Sequence, residues 1–195
     1  MNSQPVPPPS STASSTASLA TLMACVADGD AAAFTRLARA LQGPGLRLAY
    51  RTLNDHAGAE DVVQVALTRM WTMATRFDPV RGSVEGWFRR IVVNLCLDRR
   101  RSLRLVAPLE AAENVSSSAP DPFEAAVANH RRARIDAAMN GLAPRQRAAL
   151  AMFHGDGLSM TEIADALETT PKAIEGLLGR ARMELRKLIE PESLS

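Results

Sequence analysis

A turn followed by a helix that ends in arginines is encoded by residues 76–104, RFDPVRGSVEGWFRRIVVNLCLDRRRSLR. This stretch holds eight arginines and three acidic residues, a net charge of +5, whereas the whole chain carries only +2. Positive charge is therefore concentrated here. Asp78-Pro79 and Arg81-Gly82 are turn signals, and Ser83 is a predicted N-cap for the helix that follows.

The apolar residues of this helix recur at three- and four-residue steps, which predicts one buried stripe. Arginines beside exposed aromatic rings suit single-stranded nucleic acid, since guanidinium groups neutralise phosphates and rings stack on unpaired bases. The alternative is that Trp87 and Phe88 belong to the core and that the arginines complement the helix dipole. Val93 and Leu97 fall outside the stripe, so the helix is either buried on two sides or offers apolar groups to a partner. The stripe comprises Val84, Trp87, Phe88, Ile91 and Leu95.

The composition predicts an all-α fold, because apolar residues make up 46% of the 195 residues, aromatic residues only 4%, and the long periodic segments lack β-branched runs. Cys25 and Cys96 are far apart and are expected to be buried thiols without a disulfide or metal motif. No apolar run approaches the ~18 residues of a membrane span, and no secretory signal is evident, so a cytoplasmic protein is expected. No phosphate loop, nucleophile elbow or ligand-spaced histidine occurs, so no enzymatic activity, metal or cofactor is expected.

Changes in composition divide the chain into two helical units. Residues 1–18 are rich in Pro, Ser and Thr and are expected to form a disordered tail. Residues 19–104 form the first helical unit, and residues 105–120 turn small and polar, as in an extended linker. Residues 121–195 form the second unit. The predicted architecture is therefore two small helical domains joined by a flexible linker, the second with a helix-turn-helix.

Three features of the first unit lead to specific expectations. A short helix is expected from Leu19 to Ala27, and a kink or break in the next helix at Gly43-Pro44-Gly45. A further helix follows the polar turn 54–58, with Glu60 and Asp61 in its first turn. Its polar face is either simply solvated or a docking surface, and the pattern leaves both open. That face carries Asp61, Gln64 and Thr68.

The second unit contains repeated helix start and stop signals. Asp121 and Glu124 form a predicted capping box for a helix that runs to about Asn140. Pro144 is expected to begin the next helix, which ends before Gly155-Asp156-Gly157. Ser159 and Glu162 form a second capping box, for a short helix that precedes the last one.

The last helix, which Thr170-Pro171 begins, has the most regular pattern in the chain. A short helix, a turn at residues 168–170 and a longer basic helix indicate a helix-turn-helix, whose second helix enters the major groove of duplex DNA. Two glycines on its outward face cost about 1 kcal/mol each relative to alanine, and close approach of a phosphodiester would account for them. The alternative is an ordinary antiparallel helix pair. The inward face carries Ile174, Leu177, Leu178, Ala181, Leu185 and Leu188, and the outward face Lys172, Glu175, Gly176, Gly179, Arg180 and Arg186.

Four motifs, in this order, resemble bacterial sigma factors of the extracytoplasmic-function (ECF) group of the sigma-70 family. They are AEDVVQ at 59–64, RFDPVRGSVEGWFRRIVVNLCLDRRR at 76–101, LAPRQRAAL at 142–150, and GLSMTEIADAL with AIEGLLGRAR within 157–182. The resemblance implies a non-enzymatic stress-response transcription factor that binds core RNA polymerase and promoter DNA. It also implies control by an anti-sigma factor, often a membrane-bound one.

The resemblance further implies a division of labour between the two units. The first would dock on the polymerase clamp through Asp61, Gln64 and Thr68. It would hold the melted minus-ten strand through Arg76, Phe77, Arg81, Trp87, Arg90, Asn94, Arg99 and Arg100. The second would recognise the minus-thirty-five duplex through Thr170, Lys172, Glu175, Gly176, Gly179, Arg180 and Arg182.

Three residues depart from the family pattern. Val65 stands where an acidic residue is common, in the predicted polymerase-docking face. Glu175 and Leu177 stand where the family often has lysine and arginine. Glu175 would repel phosphate but can accept a hydrogen bond from a cytosine amino group.

Two other functions fit the same patterns. An autonomous helix-turn-helix regulator would bind promoter DNA without polymerase, and a helical adaptor would use its basic faces for an acidic partner. The modest net charge favours the sigma factor, because weak DNA affinity without polymerase is expected of it.

Overall fold

The computed structural model describes the backbone of residues 11–106, 135 and 137–189, and the side chains of residues 19–103, 135 and 137–189. Every regular element within this part of the chain is helical, as the sequence predicts. The first unit comprises α1 (Ser11–Ala27), α2 (Ala31–Leu53), α3 (His56–Thr72) and α4 (Val84–Val106), with 3-10 turns at Ala74–Arg76 and Pro79–Arg81. The second comprises helical residues 137–141, α5 (Pro144–Leu150), a π-helical turn (Ala151–Gly155), α6 (Met160–Ala166) and α7 (Pro171–Ile189).

Helix α2 runs without interruption through Pro44, so of the expected kink or break at Gly43-Pro44-Gly45 the break does not occur. A proline clashes with the Cβ of the preceding residue in an α-helix, and Gly43 has no Cβ. The helix is also fixed by packing, because a Cβ on Gly45 would lie 2.8 Å from Cε1 of Phe88 in α4. At its start, the Asp30 carboxylate accepts hydrogen bonds from the amides of Ala32 and Ala33.

Two helix starts differ from those expected. Helix α1 begins at Ser11, inside the predicted tail, and not at Leu19. Helix α3 begins at His56, after Asp55 as the extended N-cap, so Glu60 and Asp61 lie beyond its first turn. The linker beyond Val106 and the predicted capping box of Asp121 and Glu124 lie outside the described residues.

Helix α4 is buried on two sides, which answers the question raised by Val93 and Leu97. Phe88 is 3% exposed and Val92, Val93 and Cys96 are fully buried, whereas Ile91, Leu95 and Leu97 are half-buried. One side of α4 packs on α2 and α3, and α4 also contacts α5 and α6 of the second unit. The helix therefore belongs to the cores of both units.

The capping signals of the second unit are confirmed where the structure describes them. The Ser159 hydroxyl accepts from the amide of Glu162, and the Glu162 carboxylate accepts from the amide and hydroxyl of Ser159. These bonds hold the pKa of Glu162 below its usual range. Arg145 donates to the carbonyl of Leu167 at 2.6 Å, which ties α5 to the turn between α6 and α7.

Helix α5 joins the two units. Its residues 146–150 are five consecutive buried positions, including the charged Arg147 at 0% exposure. A helix can be buried on every side only when it is covered from more than one direction. Helix α7 covers α5 from within the second unit, and α2 and α4 cover it from the first.

Candidate nucleic-acid interface

The turn between α3 and α4 is held by two side chains. The Asp78 carboxylate accepts from the amide of Val80 at 3.0 Å, and the Ser83 hydroxyl accepts from the amide of Gly86 at 3.0 Å. Gly82 has φ of +149°, which favours glycine. These constraints leave Val80 92% exposed at the tip, beside the exposed Arg81.

The two aromatic residues at the start of α4 have different surroundings. Phe88 is core, as the alternative interpretation expected. Trp87 is half-buried and pairs with Phe77, with ring centroids 5.5 Å apart and planes inclined by 42°. Phe77 is half-buried too, so the ring pair is partly open to solvent next to Arg76 and Arg81.

A cavity of about 750 Å³ separates this surface from α6 and the turn after it. One wall carries Arg76, Phe77, Arg81, Trp87 and Arg90, five of the eight residues predicted to hold the melted strand, together with Arg89. Asp78 lies on the same side as these arginines, and the side formed by α6 and its following turn carries Glu162, Asp165 and Glu168 among the neutral Ala164, Ala166 and Thr169. We call the five residues the strand-binding surface, although their role remains a prediction.

The other three predicted strand-binding residues do not line this cavity. Asn94 is half-buried farther along α4. Arg99 donates to the Asp61 carboxylate at 3.2 Å and lies 3.6 Å from that of Asp55, so it holds α4 against α3. Arg100 donates to the carbonyl of Thr52 at 3.3 Å and so contacts α2. These hydrogen bonds of Arg99 and Arg100 lie within the first unit.

The predicted polymerase-docking residues lie on one exposed face of α3. Asp61, Gln64 and Thr68 are all exposed, and the Thr68 hydroxyl donates to the Gln64 carbonyl at 2.9 Å. Val65 is 43% exposed beside them. Asp61 and Arg99, for which the sequence predicts different roles, form an ion pair.

The predicted recognition helix α7 presents its outward face to solvent. The Thr170 hydroxyl accepts from the amide of Ala173 at 3.2 Å and caps the helix. A Cβ on Gly179 would meet no atom within 4 Å, and one on Gly176 would lie 3.9 Å from an Arg180 nitrogen. No contact among the described residues therefore requires glycine at either position.

The exposed side chains of α7 are arranged as the pattern predicts, with two differences. Leu188 is 47% exposed, although the pattern assigns it to the inward face. Arg182 lies over the Phe153 ring at 5.4 Å from its centroid, so part of its guanidinium surface is already occupied. The exposed group comprises Thr170, Lys172, Glu175, Gly176, Arg180 and Arg182, while Gly179 is half-buried.

Several residues with unusual surroundings were missed by sequence reasoning. Arg147 donates to the Asn140 side chain at 2.8 Å, but its Nε and one Nη find no hydrogen-bond partner among the described residues. Burial, and to a smaller degree the charge of Arg100, lower the pKa of Arg147 to about 9, so it is charged at neutral pH. Glu168 and Asp156 pair with arginines of the first unit. Such pairs between distant segments leave no local pattern, so no sequence signal could have identified them.

Both cysteines are free thiols, as expected. Cys96 is buried, and burial raises its pKa to about 12 against the opposing charges of Arg99 and Arg100. Cys25 is only half-buried, contrary to expectation. Within the described residues, no three His, Cys, Asp or Glu side chains cluster as metal ligands would, and no helix has the length and hydropathy to cross a membrane.

Comparison with known proteins gives two family matches, in the order of the two units. The model for Sigma-70 region 2 matches residues 36–105, and that for Sigma-70, region 4 matches residues 132–185. The ECF RNA polymerase sigma factor SigE of Mycolicibacterium smegmatis is 32% identical over 75% of this chain, which spans 58% of the length of SigE. The RNA polymerase sigma factor CnrH of Cupriavidus metallidurans is 30% identical over 88% of this chain and 94% of its own length.

A solved structure of CnrH in complex with the cytosolic domain of CnrY superimposes with a TM-score of 0.65 at 27% identity. The superposition covers 90% of this chain and 99% of CnrH. The similarity thus extends over both helical units. The chain belongs to the extracytoplasmic-function group of the sigma-70 family of RNA polymerase sigma factors.

Proposed function

We propose that this chain is a sigma factor that binds core RNA polymerase and directs transcription initiation at specific promoters. One observation carries the proposal beyond family membership. The partly exposed Phe77–Trp87 ring pair lies among Arg76, Arg81 and Arg90 on one continuous surface. This surface can stack an unpaired base while guanidinium groups neutralise the adjacent phosphates.

In this proposal the strand-binding surface drives promoter opening by capturing unpaired bases. Each base stacked on an aromatic ring contributes roughly 1–3 kcal/mol, comparable with the stacking lost when a base pair opens. The protein needs no chemical step and no cofactor for this. It acts as a non-enzymatic subunit in the cytoplasm, where the polymerase works.

Helix α7 reads the duplex minus-thirty-five element in the same proposal. The N-terminal part of a recognition helix contacts base edges, and here it carries Lys172, Glu175 and Gly176 on the exposed face. Lys172 and Arg180 supply contacts to phosphates, whereas Glu175 can select a cytosine. The small side surface of Gly176 and Gly179 lets the DNA backbone approach the helix closely.

The α3 face of Asp61, Gln64 and Thr68 is proposed to dock on the polymerase. Val65 would add an apolar contact where relatives commonly place a carboxylate. An anti-sigma factor is a further proposed partner, since CnrH was solved with the cytosolic domain of a second protein, CnrY.

The test is reconstitution of purified chain and core polymerase on a promoter from the chain's own operon. Trp87→Ala is expected to spare duplex binding and to impair opening, which permanganate reactivity of unpaired thymines measures. Arg180→Ala is expected to weaken duplex binding and to reduce its salt dependence by about one phosphate contact. Arg36→Ala, which removes an exposed arginine of α2, is the control for the loss of a positive charge.

Two outcomes would contradict the proposal. If both variants initiate like the parent, the assigned surfaces are wrong. If the chain shifts promoter DNA equally well with and without core polymerase, it is an autonomous helix-turn-helix regulator instead.

A further inference from the structure

We propose that Arg99 is a positioning residue for docking on RNA polymerase. Its guanidinium orients the Asp61 carboxylate on the exposed face of α3, where this carboxylate can accept a hydrogen bond from a basic group of the polymerase. The inference rests on the proposed function for the identity of the partner, whereas the contacts that support it lie within the first unit.

The place of Arg99 on α4 separates it from the strand-binding surface. It follows Arg90 by nine residues, which correspond to about 13 Å along an α-helix. At about 100° per residue, nine residues also turn the side chain to the opposite side of the helix. Arg90 lines the cavity with the ring pair of Phe77 and Trp87, and Arg99 does not. A strand that stacks on these rings is therefore within reach of Arg90, while Arg99 faces α3.

Two carboxylates surround the Arg99 guanidinium. One terminal nitrogen donates to Oδ2 of Asp61 at 3.2 Å, and the other lies 3.6 Å from Oδ2 of Asp55. Since Arg99 contacts Asp61 through Oδ2, its Oδ1 remains available to a donor of the partner, and the Asp61 side chain is 63% exposed. Two carboxylates against one guanidinium leave the cluster negative, which favours a basic partner.

Asp55 contacts Arg99 and does not cap its own helix. It is the N-cap residue of α3 and has extended backbone angles, a position at which an aspartate ordinarily accepts a hydrogen bond from an amide of the first turn. Its side chain makes no such bond and lies beside Arg99. The start of α3 is therefore fixed to α4 through Arg99, and Asp61 follows on the same helix.

Gly58 makes room for this cluster on α3. A Cβ at position 58 would overlap Oδ2 of Asp55 and would lie 2.8 Å from Nε of Arg99. Both side chains therefore approach the helix backbone only because residue 58 is glycine. Glycine is a poor helix former, and the approach of these two side chains accounts for its presence in the first turn of α3.

The experiment is a double-mutant cycle on the affinity of the full chain for fluorescently labelled core polymerase. Arg99→Gln is expected to raise the Kd about two- to fivefold, because the Asp61 side chain then has to be ordered on binding and the pair is partly exposed. In the Asp61→Asn background the same change should alter the Kd by less than about twofold, since Arg99 acts through the Asp61 carboxylate. Arg101→Gln, which removes an exposed arginine of α4, is the control for the lost charge.

The sign of the change separates orientation from neutralisation. Removal of Arg99 also leaves more negative charge on α3, so an arginine that merely neutralised Asp61 would weaken docking and its loss would lower the Kd. An arginine with only a structural role would lower the free energy of unfolding without changing the Kd of the folded chain.

Gly58→Ala tests the cluster without removing a charge. The methyl group displaces Asp55 and Arg99 from α3, so this variant is expected to raise the Kd as Arg99→Gln does. Strand binding is measured with saturating polymerase, by anisotropy of a fluorescein-labelled single-stranded oligonucleotide that contains the minus-ten element. There Arg99→Gln should match Arg101→Gln within about twofold.

The positioning role is overturned if Arg99→Gln leaves the Kd unchanged or lowers it, or if its effect is the same with and without the Asp61 carboxylate. It is also overturned if Arg99→Gln weakens strand binding more than Arg101→Gln does. If the parent initiates with core polymerase but the cycle shows no coupling, only the positioning role fails. If the parent does not bind core polymerase, the proposed function fails as well.

Discussion

Asp156 shows how burial and ion pairing oppose each other at a single residue. Its carboxylate lies 3.2 Å from Arg51, and the charges of Arg47 on α2 and Arg89 on α4 also stabilise the ionised form. Burial nevertheless has the larger effect and raises its pKa above the ordinary value. The free-energy cost of burying the ionised carboxylate is therefore larger than the stabilisation that its ion pairs contribute.

We accordingly expect Asp156→Asn to keep the free energy of unfolding at pH 7 within about 0.5 kcal/mol of the parent, because the amide oxygen can still accept from Arg51. A carboxyl group whose pKa is raised by folding stabilises the fold below its unfolded pKa. That contribution is lost as the pH rises through the raised pKa. The parent should thus lose stability relative to Asp156→Asn as the pH rises from below 3.8, the ordinary value. Urea titrations across this range measure the difference, and a parent that gains relative stability would contradict the assignment.

Two glycines of helix α2, Gly45 and Gly43, allow the effect of side-chain packing on stability to be separated from that of helix propensity. Gly45→Ala would place a Cβ 2.8 Å from Cε1 of the buried Phe88 and 3.3 Å from Cγ2 of Val63. We expect it to lower the free energy of unfolding by about 1–3 kcal/mol, more than the helix propensity of alanine contributes.

Gly43→Ala is the control, because its Cβ would find only an Arg47 nitrogen at 3.5 Å. Its effect should stay below about 1 kcal/mol, since the gain in helix propensity is opposed by a clash with the ring of Pro44. Chemical denaturation followed by circular dichroism measures both variants. Equal losses in the two would mean that contact with Phe88 is not what fixes glycine at position 45.

The sequence could predict the features that neighbouring residues determine, but not those that depend on contacts between distant segments. Local signals were sufficient for the all-α class, the Ser159–Glu162 capping box and the turn around Asp78, because neighbouring residues determine them. Gly43 before Pro44 makes the uninterrupted path possible, but the packing of Phe88 from a distant helix against Gly45, which also fixes it, was not predictable. The contact of Arg99 with Asp61 was not predictable for the same reason, since it is visible only once α3 and α4 are placed.

At Gly179 of helix α7, one substitution is expected to raise the stability of the fold and to weaken DNA binding. A Cβ on Gly179 meets no atom of the chain within 4 Å, so Gly179→Ala is expected to stabilise the fold by about 1 kcal/mol through helix propensity alone. If the DNA backbone approaches this glycine, the same change should weaken binding to the minus-thirty-five duplex by about three- to tenfold. Thermal unfolding and duplex gel shifts with core polymerase measure the two effects. Unchanged duplex binding would remove Gly179 from the predicted interface.

On the scale of the whole molecule, helix α5 links the two helical units that the family match covers. The sigma-70 family match covers both units, but it does not require them to touch each other. In this structure they do touch, because the five consecutive buried residues of α5 are covered by α7 on one side and by α2 and α4 on the other. The protection of α5 amides from solvent therefore reports on the relative position of the units.

Hydrogen exchange can follow this on the intact chain with and without core polymerase. In the free chain, amides 146–150 are expected to exchange slowly, like those of residues 33–41 in the core of the first unit. If the two units separate on the polymerase, exchange in residues 146–150 should increase by at least about tenfold, because separation removes the first unit from one side of α5. Residues 33–41 should remain protected, which distinguishes opening from unfolding. Protection of residues 146–150 that persists in the polymerase complex would mean that the two units act on the promoter without separating.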